Sequence, residues 1–166
     1  LKICKWIKYG VRMDSDTYVA YLRKKGMRIG ERTVIFDPRN TVIDETRPWM
    51  IEIGSDVQIT SGVTILTHGY DWAVLKGKYG AILGSSGKIE IGNNVFVGVN
   101  TIILKGVHIG NNVIIGAGSL VNKNIPDNSV VAGNPVRKIY ALDEYLEERK
   151  EKQLEEAMEL VKEYRI

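Results

Sequence analysis

Two histidines and one cysteine are the side chains of this 166-residue sequence that are best suited to acid-base or nucleophilic chemistry near neutral pH. A histidine with an unperturbed pKa of about 6.5 can take a proton from a hydroxyl group and later return it. His68 and His108 are therefore the candidates for a general base, whereas Cys4 is far from both in sequence and gives no support to a covalent thiol route. A zinc site of three histidines and a water would need one more histidine than the sequence has, so no such site is predicted.

A six-residue repeat runs through the sequence, and the two histidines have different positions relative to it. Aliphatic residues recur at Ile91, Val97, Ile103, Ile109, Ile115 and Val121, and glycine directly follows four of them, at Gly92, Gly98, Gly110 and Gly116. A helix of 3.6 residues per turn would spread these side chains around its axis, whereas short strands separated by corners keep them on one side. A hexapeptide period is typical of a parallel β-helix, an all-β solenoid in which three hexads form one coil.

The repeat gives the two histidines different surroundings. His108 directly follows the inward-facing Val107, so its side chain is expected to point outward from a wall. His68 lies where the repeat stops after Ile65, and hexads resume only at Ile89. The segment between them, 69–88, is predicted to be an inserted loop, and long loops in compact domains are more often functional than idle.

The strings IGNNVFVGVNTIILKGVHIGNNVIIGAGSLVNKNIP and VVAGNPVRKI resemble the hexapeptide-repeat acyltransferases, galactoside and maltose acetyltransferases among them. The resemblance implies a left-handed parallel β-helix over 29–139 that contains the inserted loop at 69–88. Residues 1–28 are predicted to form an N-terminal helical cap, in which Asp14 or Asp16 caps a short helix that stops near Gly26. A C-terminal helix is expected over 140–166.

The same resemblance implies an acetyl-CoA-dependent O-acetyltransferase. His68 would be the general base that lets a hydroxyl of a sugar or glycan precursor attack the thioester directly in a ternary complex. The family forms homotrimers with active sites between subunits, and the resemblance implies the same here. An N-acetyltransferase of amino sugars and a noncatalytic β-helix binding module remain as alternatives.

Further site residues follow from the same resemblance. Donor contacts are implied at Gly98, Val99, Gly116, Ala117, Asn122, Lys123, Arg137 and Lys138. Val99 and Asn122 stand where the family often has serine and threonine, so their contacts would come from the backbone. Acceptor contacts are expected from Tyr70, Asp71, Trp72, Asn40 and Asp44, with an aromatic face for a sugar ring. Asp71 could alternatively orient the imidazole, and the aromatics could simply pack within the loop.

Charge and hydropathy limit the classes of ligand and the location that the sequence predicts. The net charge is +3, and residues 143–166 carry nine acidic and five basic side chains, which leaves a basic body suited to a phosphate-bearing ligand. The basic residues do not cluster with interleaved aromatics, so nucleic-acid binding is not predicted. No run of 18 or more apolar residues predicts a membrane span. The single cysteine suits a reducing compartment, and we expect a cytoplasmic protein without a metal.

Overall fold

The computed structural model describes residues 10–164, so Cys4 and the outer ends of the predicted terminal segments lie outside the described residues. A short 3-10 turn, Gly10–Arg12, precedes helix α1, Ser15–Lys24. The Asp14 side chain caps α1 by accepting a hydrogen bond from the Thr17 amide at 2.9 Å, which selects Asp14 over Asp16 as the cap. Tyr18 and Leu22 of α1 are fully buried.

Fourteen strands follow within the described residues, most of them only two or three residues long. They are β1 Arg28–Ile29, β2 Val34–Ile35, β3 Val42–Ile43, β4 Ile51–Ile53, β5 Gln58–Ile59, β6 Thr64–Ile65, β7 Ile89–Ile91, β8 Val95–Val97, β9 Ile102–Ile103, β10 His108–Ile109, β11 Val113–Ile115, β12 Leu120–Val121, β13 Ser129–Ala132 and β14 Arg137–Ala141. Two more helices are α2, Trp72–Tyr79, and α3, Leu142–Tyr164, and a second 3-10 turn covers Pro48–Met50.

The strands form three sheets that run side by side. Sheet A contains β1, β4, β7 and β10, sheet B runs β2, β5, β8, β11, β13 and β14, and sheet C contains β3, β6, β9 and β12. Every pairing is parallel except that of β13 with β14, which closes one edge of sheet B with an antiparallel strand. Each passage through sheets A, B and C is one coil, and successive coils stack strand upon strand.

One apolar core lies between the three sheets. The aliphatic residues of the hexads face it, and Ile53, Ile59, Ile65, Val97, Ile103 and Ile115 are each no more than 2% exposed. Alternate residues of each strand face outward, as the two-residue period of a strand requires. The repeated aliphatic side chains are therefore all used to form the core. Residues for catalysis must come from the corners and the connections between sheets.

Register shows where the coils depart from 18 residues. Ile91 pairs with Ile109 and Ile103 with Val121, both 18 residues apart, whereas Ile43 pairs with Ile65 at a spacing of 22. Ile65 pairs with Ile103 at a spacing of 38. Extra residues of both early coils lie between sheet C and sheet A, in the connections 44–50 and 66–88. We call this edge the C-to-A corner.

Candidate active site

His68 stands at the C-to-A corner and its ring contacts a buried carboxylate. Nδ1 of His68 lies 2.7 Å from Oδ2 of Asp44, whose side chain is only 4% exposed. The fold brings the two together because β3 and β6 are neighbours, and Asp44 and Leu66 are the first residues beyond the paired Ile43 and Ile65. Twenty-four residues of sequence separate this pair, but only one strand spacing separates their coils.

Hydrogen bonds fix the Asp44 carboxylate and keep it ionised. Oδ1 accepts from the Thr46 amide at 3.0 Å and from the Thr46 hydroxyl at 2.6 Å, while Oδ2 accepts from the Thr67 amide at 3.3 Å and from the Thr67 hydroxyl. Burial alone would raise the pKa of Asp44, but the hydrogen bonds of Thr46, Thr67 and His68 outweigh it and hold the pKa well below its ordinary value.

An ionised carboxylate on Nδ1 determines the tautomer of the imidazole. A carboxylate can only accept a hydrogen bond, so the proton must sit on Nδ1 and the lone pair on Nε2. The His68 side chain is 19% exposed, which leaves part of the ring open to a ligand. This arrangement gives a histidine that is held in place at one nitrogen and able to accept a proton at the other.

The inserted segment that begins at His68 is more ordered than an irregular loop. His68 and Ser86 form an antiparallel bridge, Gly69 donates its amide to the Ser85 carbonyl at 2.9 Å, and Gly87 donates to the Thr67 carbonyl at 2.9 Å. Helix α2 lies within the segment and buries none of its residues. The sequence showed no period here and did not predict this helix. The backbone pairing between 67–69 and 85–87 holds His68 in place where the insertion leaves the coil.

A pocket of about 220 Å³ opens beside His68. Its lining includes Tyr70 and Trp72, together with Arg47 and the segment from Ile82 to Ser86. The Tyr70 ring meets the imidazole edge-on with centroids 5.5 Å apart, and the Trp72 ring centroid lies 6.3 Å from that of Tyr70. Two aromatic rings next to a proton acceptor suit a ligand with apolar ring faces and hydroxyl groups.

Three of the predicted acceptor residues lie elsewhere. Asp71 faces Lys105, with Oδ1 3.5 Å from Nζ, and does not line the pocket; the carboxylate on the His68 ring is that of Asp44 instead. Asn40 donates to Asp37 Oδ2 at 2.6 Å in the turn before β3. Asp44 is buried behind His68 and has no free face for an acceptor, which corrects its assignment from ligand contact to histidine partner.

Arg47 is a pocket residue that lies outside the inserted segment and was not predicted from the sequence. It lies in the connection 44–50, where Pro48 follows it and the hexads are irregular. The connection 44–50 stacks on the start of the connection 66–88, which places Arg47 in the same corner as His68. Without the 22-residue spacing between β3 and β6, the sequence could not align the two connections.

The predicted donor residues fall on two different edges of sheet C. Gly98 and Gly116 directly follow β8 and β11, and Val99 and Ala117 come next as exposed residues at the edge between sheets B and C. Asn122 and Lys123 follow β12 at the C-to-A corner, on the edge that carries His68. One chain therefore does not bring His68 and the Val99 edge together, since about six extended residues, or roughly 20 Å, separate them.

Close packing makes the glycines at the B-to-C edge necessary for the fold. A Cβ atom on Gly98 would lie 2.5 Å from the Ala117 amide nitrogen, and one on Gly116 would lie 2.9 Å from the Ala132 Cβ. Both glycines thus let one coil sit on the next. Arg137 and Lys138 begin β14 and are exposed. Val136, just before the strand, donates its amide to the Leu120 carbonyl of β12 at 2.9 Å, while β14 itself pairs with β13 and places Arg137 opposite Ala132.

His108 occupies a wall, as its place in the hexad predicts. Its side chain is 58% exposed on sheet A, with Nδ1 3.5 Å from Glu90 Oε2. Within residues 10–164, no group of three histidine, cysteine or carboxylate side chains is arranged to hold a metal ion. No helix in that range has both the length and the apolar character needed to cross a membrane.

Comparisons with known proteins place this architecture in a family. The model of the bacterial transferase hexapeptide family, with six repeats, matches residues 88–123. Protein CapG of Staphylococcus aureus is 45% identical over 128 residues, which cover 75% of this chain and 71% of the relative. The putative acetyltransferase YvoF of Bacillus subtilis strain 168 is 36% identical over 145 residues, covering 87% and 76%. This chain belongs to the hexapeptide-repeat acyltransferase family.

Solved structures agree with that membership. The acyltransferase is 29% identical to a maltose O-acetyltransferase from Clostridium difficile 630, with a TM-score of 0.52 and coverage of 76% of this chain and 75% of the other. A galactoside acetyltransferase in complex with coenzyme A is 28% identical, with a TM-score of 0.55 and coverage of 76% and 70%. These neighbours and the parallel sheets of the acyltransferase fit a left-handed β-helix. The prediction of an acyltransferase enzyme is confirmed.

Proposed function

We propose that this acyltransferase moves an acetyl group from acetyl-CoA to a hydroxyl of a sugar or glycan precursor, with His68 as the general base. The observation that carries the proposal is the Asp44–His68 pair, 2.7 Å apart, at the mouth of a pocket lined by Tyr70 and Trp72. The maltose and galactoside acetyltransferases among the similar structures support a sugar acceptor. The coenzyme A complex of one of them supports the donor.

The reaction follows from the tautomer of His68. Nε2 takes the proton of the acceptor hydroxyl while the hydroxyl oxygen forms a bond to the thioester carbonyl carbon. The carbon–sulfur bond then breaks, the electron pair leaves with the coenzyme A sulfur, and the imidazolium returns its proton to that thiolate. Asp44 stabilises the positive ring between these two transfers, because its carboxylate is ionised and hydrogen-bonded to Nδ1.

The proposed donor site draws on two edges of the molecule. Val99 and Ala117 would contact the donor through their exposed backbone beside the narrow Gly98 and Gly116 corners. Lys123, Arg137 and Lys138 are exposed, and no hydrogen bond or ion pair engages their side chains within residues 10–164, so they are available to phosphate groups. Asn122, one residue from Lys123, would contribute through its backbone.

We further propose a homotrimer of left-handed β-helices in which each active site lies between two copies. The separation of His68 from the Val99 edge supports this arrangement, because a second copy can bring its own Val99 edge to the first copy's His68. A closed three-fold ring makes three such sites equivalent. Acetyl-CoA is a cytoplasmic metabolite, which supports a cytoplasmic enzyme.

A product analysis tests the proposed function. The protein is incubated with acetyl-CoA and a panel of neutral glycosides, acidic sugars and amino sugars, and thiol release and product mass are followed. We expect an acetylated sugar whose acetyl group is lost in mild alkali, as an ester is, and we expect His68→Ala to form none. An alkali-stable amide on an amino sugar would select N-acetylation instead. Thiol release that is equal with and without every sugar would contradict the proposal.

A further inference from the structure

Arg47 is a half-buried cation without a protein partner in the pocket beside His68. Only two arginines in residues 10–164 are half-buried, Arg12 and Arg47. Arg12 donates to the carbonyls of Pro38 and Thr41 and to the Glu45 carboxylate. No hydrogen bond or ion pair engages the Arg47 side chain within the described part of the chain. A partly desolvated guanidinium with five unmatched donors calls for an anionic ligand.

The acidic side chains near Arg47 are committed to other groups. Asp44 is buried against His68, Thr46 and Thr67. Glu45 accepts hydrogen bonds from Arg12 at 3.1 Å, Tyr18 at 3.2 Å and Tyr21 at 2.8 Å, which turns it toward the N-terminal helix. Asp71, on the insertion, faces Lys105. None of the three forms an ion pair with Arg47.

The composition of the pocket points the same way. Arg47 and His68 are joined there by aromatic, aliphatic, glycine and serine residues, and no aspartate or glutamate contributes to the lining. The backbone of Arg47 is also held, because Pro48 is buried and the Met50 amide donates to the Arg47 carbonyl at 3.0 Å. Arg47 therefore lines the pocket from a fixed backbone position, and no carboxylate shares the lining with it.

We propose that the acceptor is an acidic sugar, and that Arg47 binds its carboxylate or phosphate oxygens while a hydroxyl of the same ring reaches His68. The inference rests on the proposed function and narrows its substrate class. Tyr70 and Trp72 would cover the apolar faces of the ring, and Ser86 adds a hydroxyl group to the pocket lining. A fork-shaped guanidinium can donate two parallel hydrogen bonds to either a carboxylate or a phosphate, so Arg47 could bind a sugar acid or a sugar phosphate in the same way.

The pocket is small for a ligand site. Its volume of about 220 Å³ is below the 300 Å³ or so at which sites for drug-sized ligands begin. One sugar ring with a charged substituent therefore suits it better than an extended chain. The charge also gives the site a means of rejecting neutral sugars of the same shape, because they would leave the guanidinium unpaired.

Paired acceptors test the inference. Methyl glucoside is compared with methyl glucuronoside and with glucose 6-phosphate, and the corresponding galactose series is run beside it. The kcat/KM for the favoured anionic member should exceed that for the neutral sugar by about tenfold or more, the value expected for a charge-assisted hydrogen bond. The kcat/KM values for methyl glucuronoside and for glucose 6-phosphate then show whether the enzyme prefers a carboxylate or a phosphate.

Variants assign the preference to Arg47. Arg47→Gln should bring the ratio of anionic to neutral kcat/KM close to one, and Arg47→Lys should retain part of it, because the charge remains and the fork is lost. Arg39→Gln is the matched control, since Arg39 lies in the same coil with a 3.9 Å contact to Asp37 and outside the pocket, and it should keep the wild-type ratio.

The outcomes separate the inference from the proposed function. A wild-type enzyme that acetylates neutral and anionic sugars equally overturns the inference alone, as does an anionic preference that survives Arg47→Gln. An Arg47→Gln variant with a raised KM for acetyl-CoA and an unchanged acceptor ratio would assign Arg47 to the donor. No transfer to any sugar would overturn the proposed function itself.

Discussion

Asp44 and His68 form a pair in which each residue depends on its surroundings. The carboxylate stays ionised because Thr46 and Thr67 supply hydrogen bonds in a buried place, and the imidazole keeps one orientation because that carboxylate holds Nδ1. His68 could be predicted as the candidate base because the repeat stops there. Asp44 was assigned to the wrong contact, because no sequence pattern shows that two irregular connections stack at one corner.

The depressed pKa of Asp44 predicts a pH dependence of stability. A carboxyl group whose pKa is lower in the folded state adds stability above its unfolded pKa of about 3.9, and that stability is lost as the pH falls through the folded value. The Asp44→Asn variant should therefore unfold more easily than the wild type at pH 7. The difference in free energy of unfolding should shrink as the pH falls below about 4.

Denaturant unfolding at pH 7, 5 and 3.5 measures this difference, provided that both proteins unfold reversibly. A difference that stays constant over the whole range would mean that the Asp44 charge contributes nothing to folding. A difference that grows in acid would mean that the sign of the shift is wrong.

At the scale of elements, the regular coils could be predicted from the hexads and the inserted segment could not. Strands β7 to β12 lie where the aliphatic residues recur, because a period of six with alternating burial fits only short strands. Helix α2 buries no residue, so it leaves no apolar stripe in the sequence. His68 and Ser86 form a β-bridge at the base of the insertion. No sequence pattern predicts that these two residues pair, so the pocket beside them could not be predicted.

Asparagines at the corners between sheets A and B predict a second measurable effect. Asn112 has a left-handed backbone with φ of 55°, accepts from Asn94 Nδ2 at 2.9 Å and donates to Asn128 Oδ1 at 3.0 Å. Both Asn112→Ala and Asn112→Gly remove the two side-chain hydrogen bonds to Asn94 and Asn128. Alanine is in addition strained at a positive φ, whereas glycine is not. Alanine should therefore be the less stable variant by about 1–2 kcal/mol.

Thermal unfolding of the two variants beside the wild type measures the difference between them. Gly77→Ala serves as the control, because a Cβ at Gly77 meets nothing within 4 Å and α2 has ordinary helical backbone there. It should leave the stability of the coils unchanged. An Asn112→Ala variant as stable as Asn112→Gly would argue against strain at this corner.

At the scale of the molecule, the two edges of sheet C carry the two halves of the proposed chemistry. His68 lies on one edge and Val99 with Ala117 on the other. The outer face of sheet C between them is apolar at Val42 and Ile102, which are 51% and 38% exposed in the single chain. Packing against other copies would cover such side chains and bring unlike edges together.

The proposed trimer should have three times the mass of one chain in light scattering, at protein concentrations used for assays. It also predicts complementation between inactive variants. Subunits with His68→Ala and subunits with Ala117→Trp, which blocks the other edge, should regain activity when they are unfolded and refolded together. Refolding each variant alone is the control. A monomeric mass, or mixed protein no more active than either parent, would contradict a site shared between copies.

The central claim is that His68 takes the proton and that Asp44 acts through it. The most direct measurement is kcat/KM for acetyl transfer in His68→Ala, Asp44→Asn and the double variant, with the exposed His108→Ala as control. We predict a loss of about 10²–10⁴-fold for His68→Ala, a smaller loss for Asp44→Asn, and a double variant no slower than His68→Ala. His108→Ala should match the wild type. Wild-type turnover in His68→Ala would contradict the account.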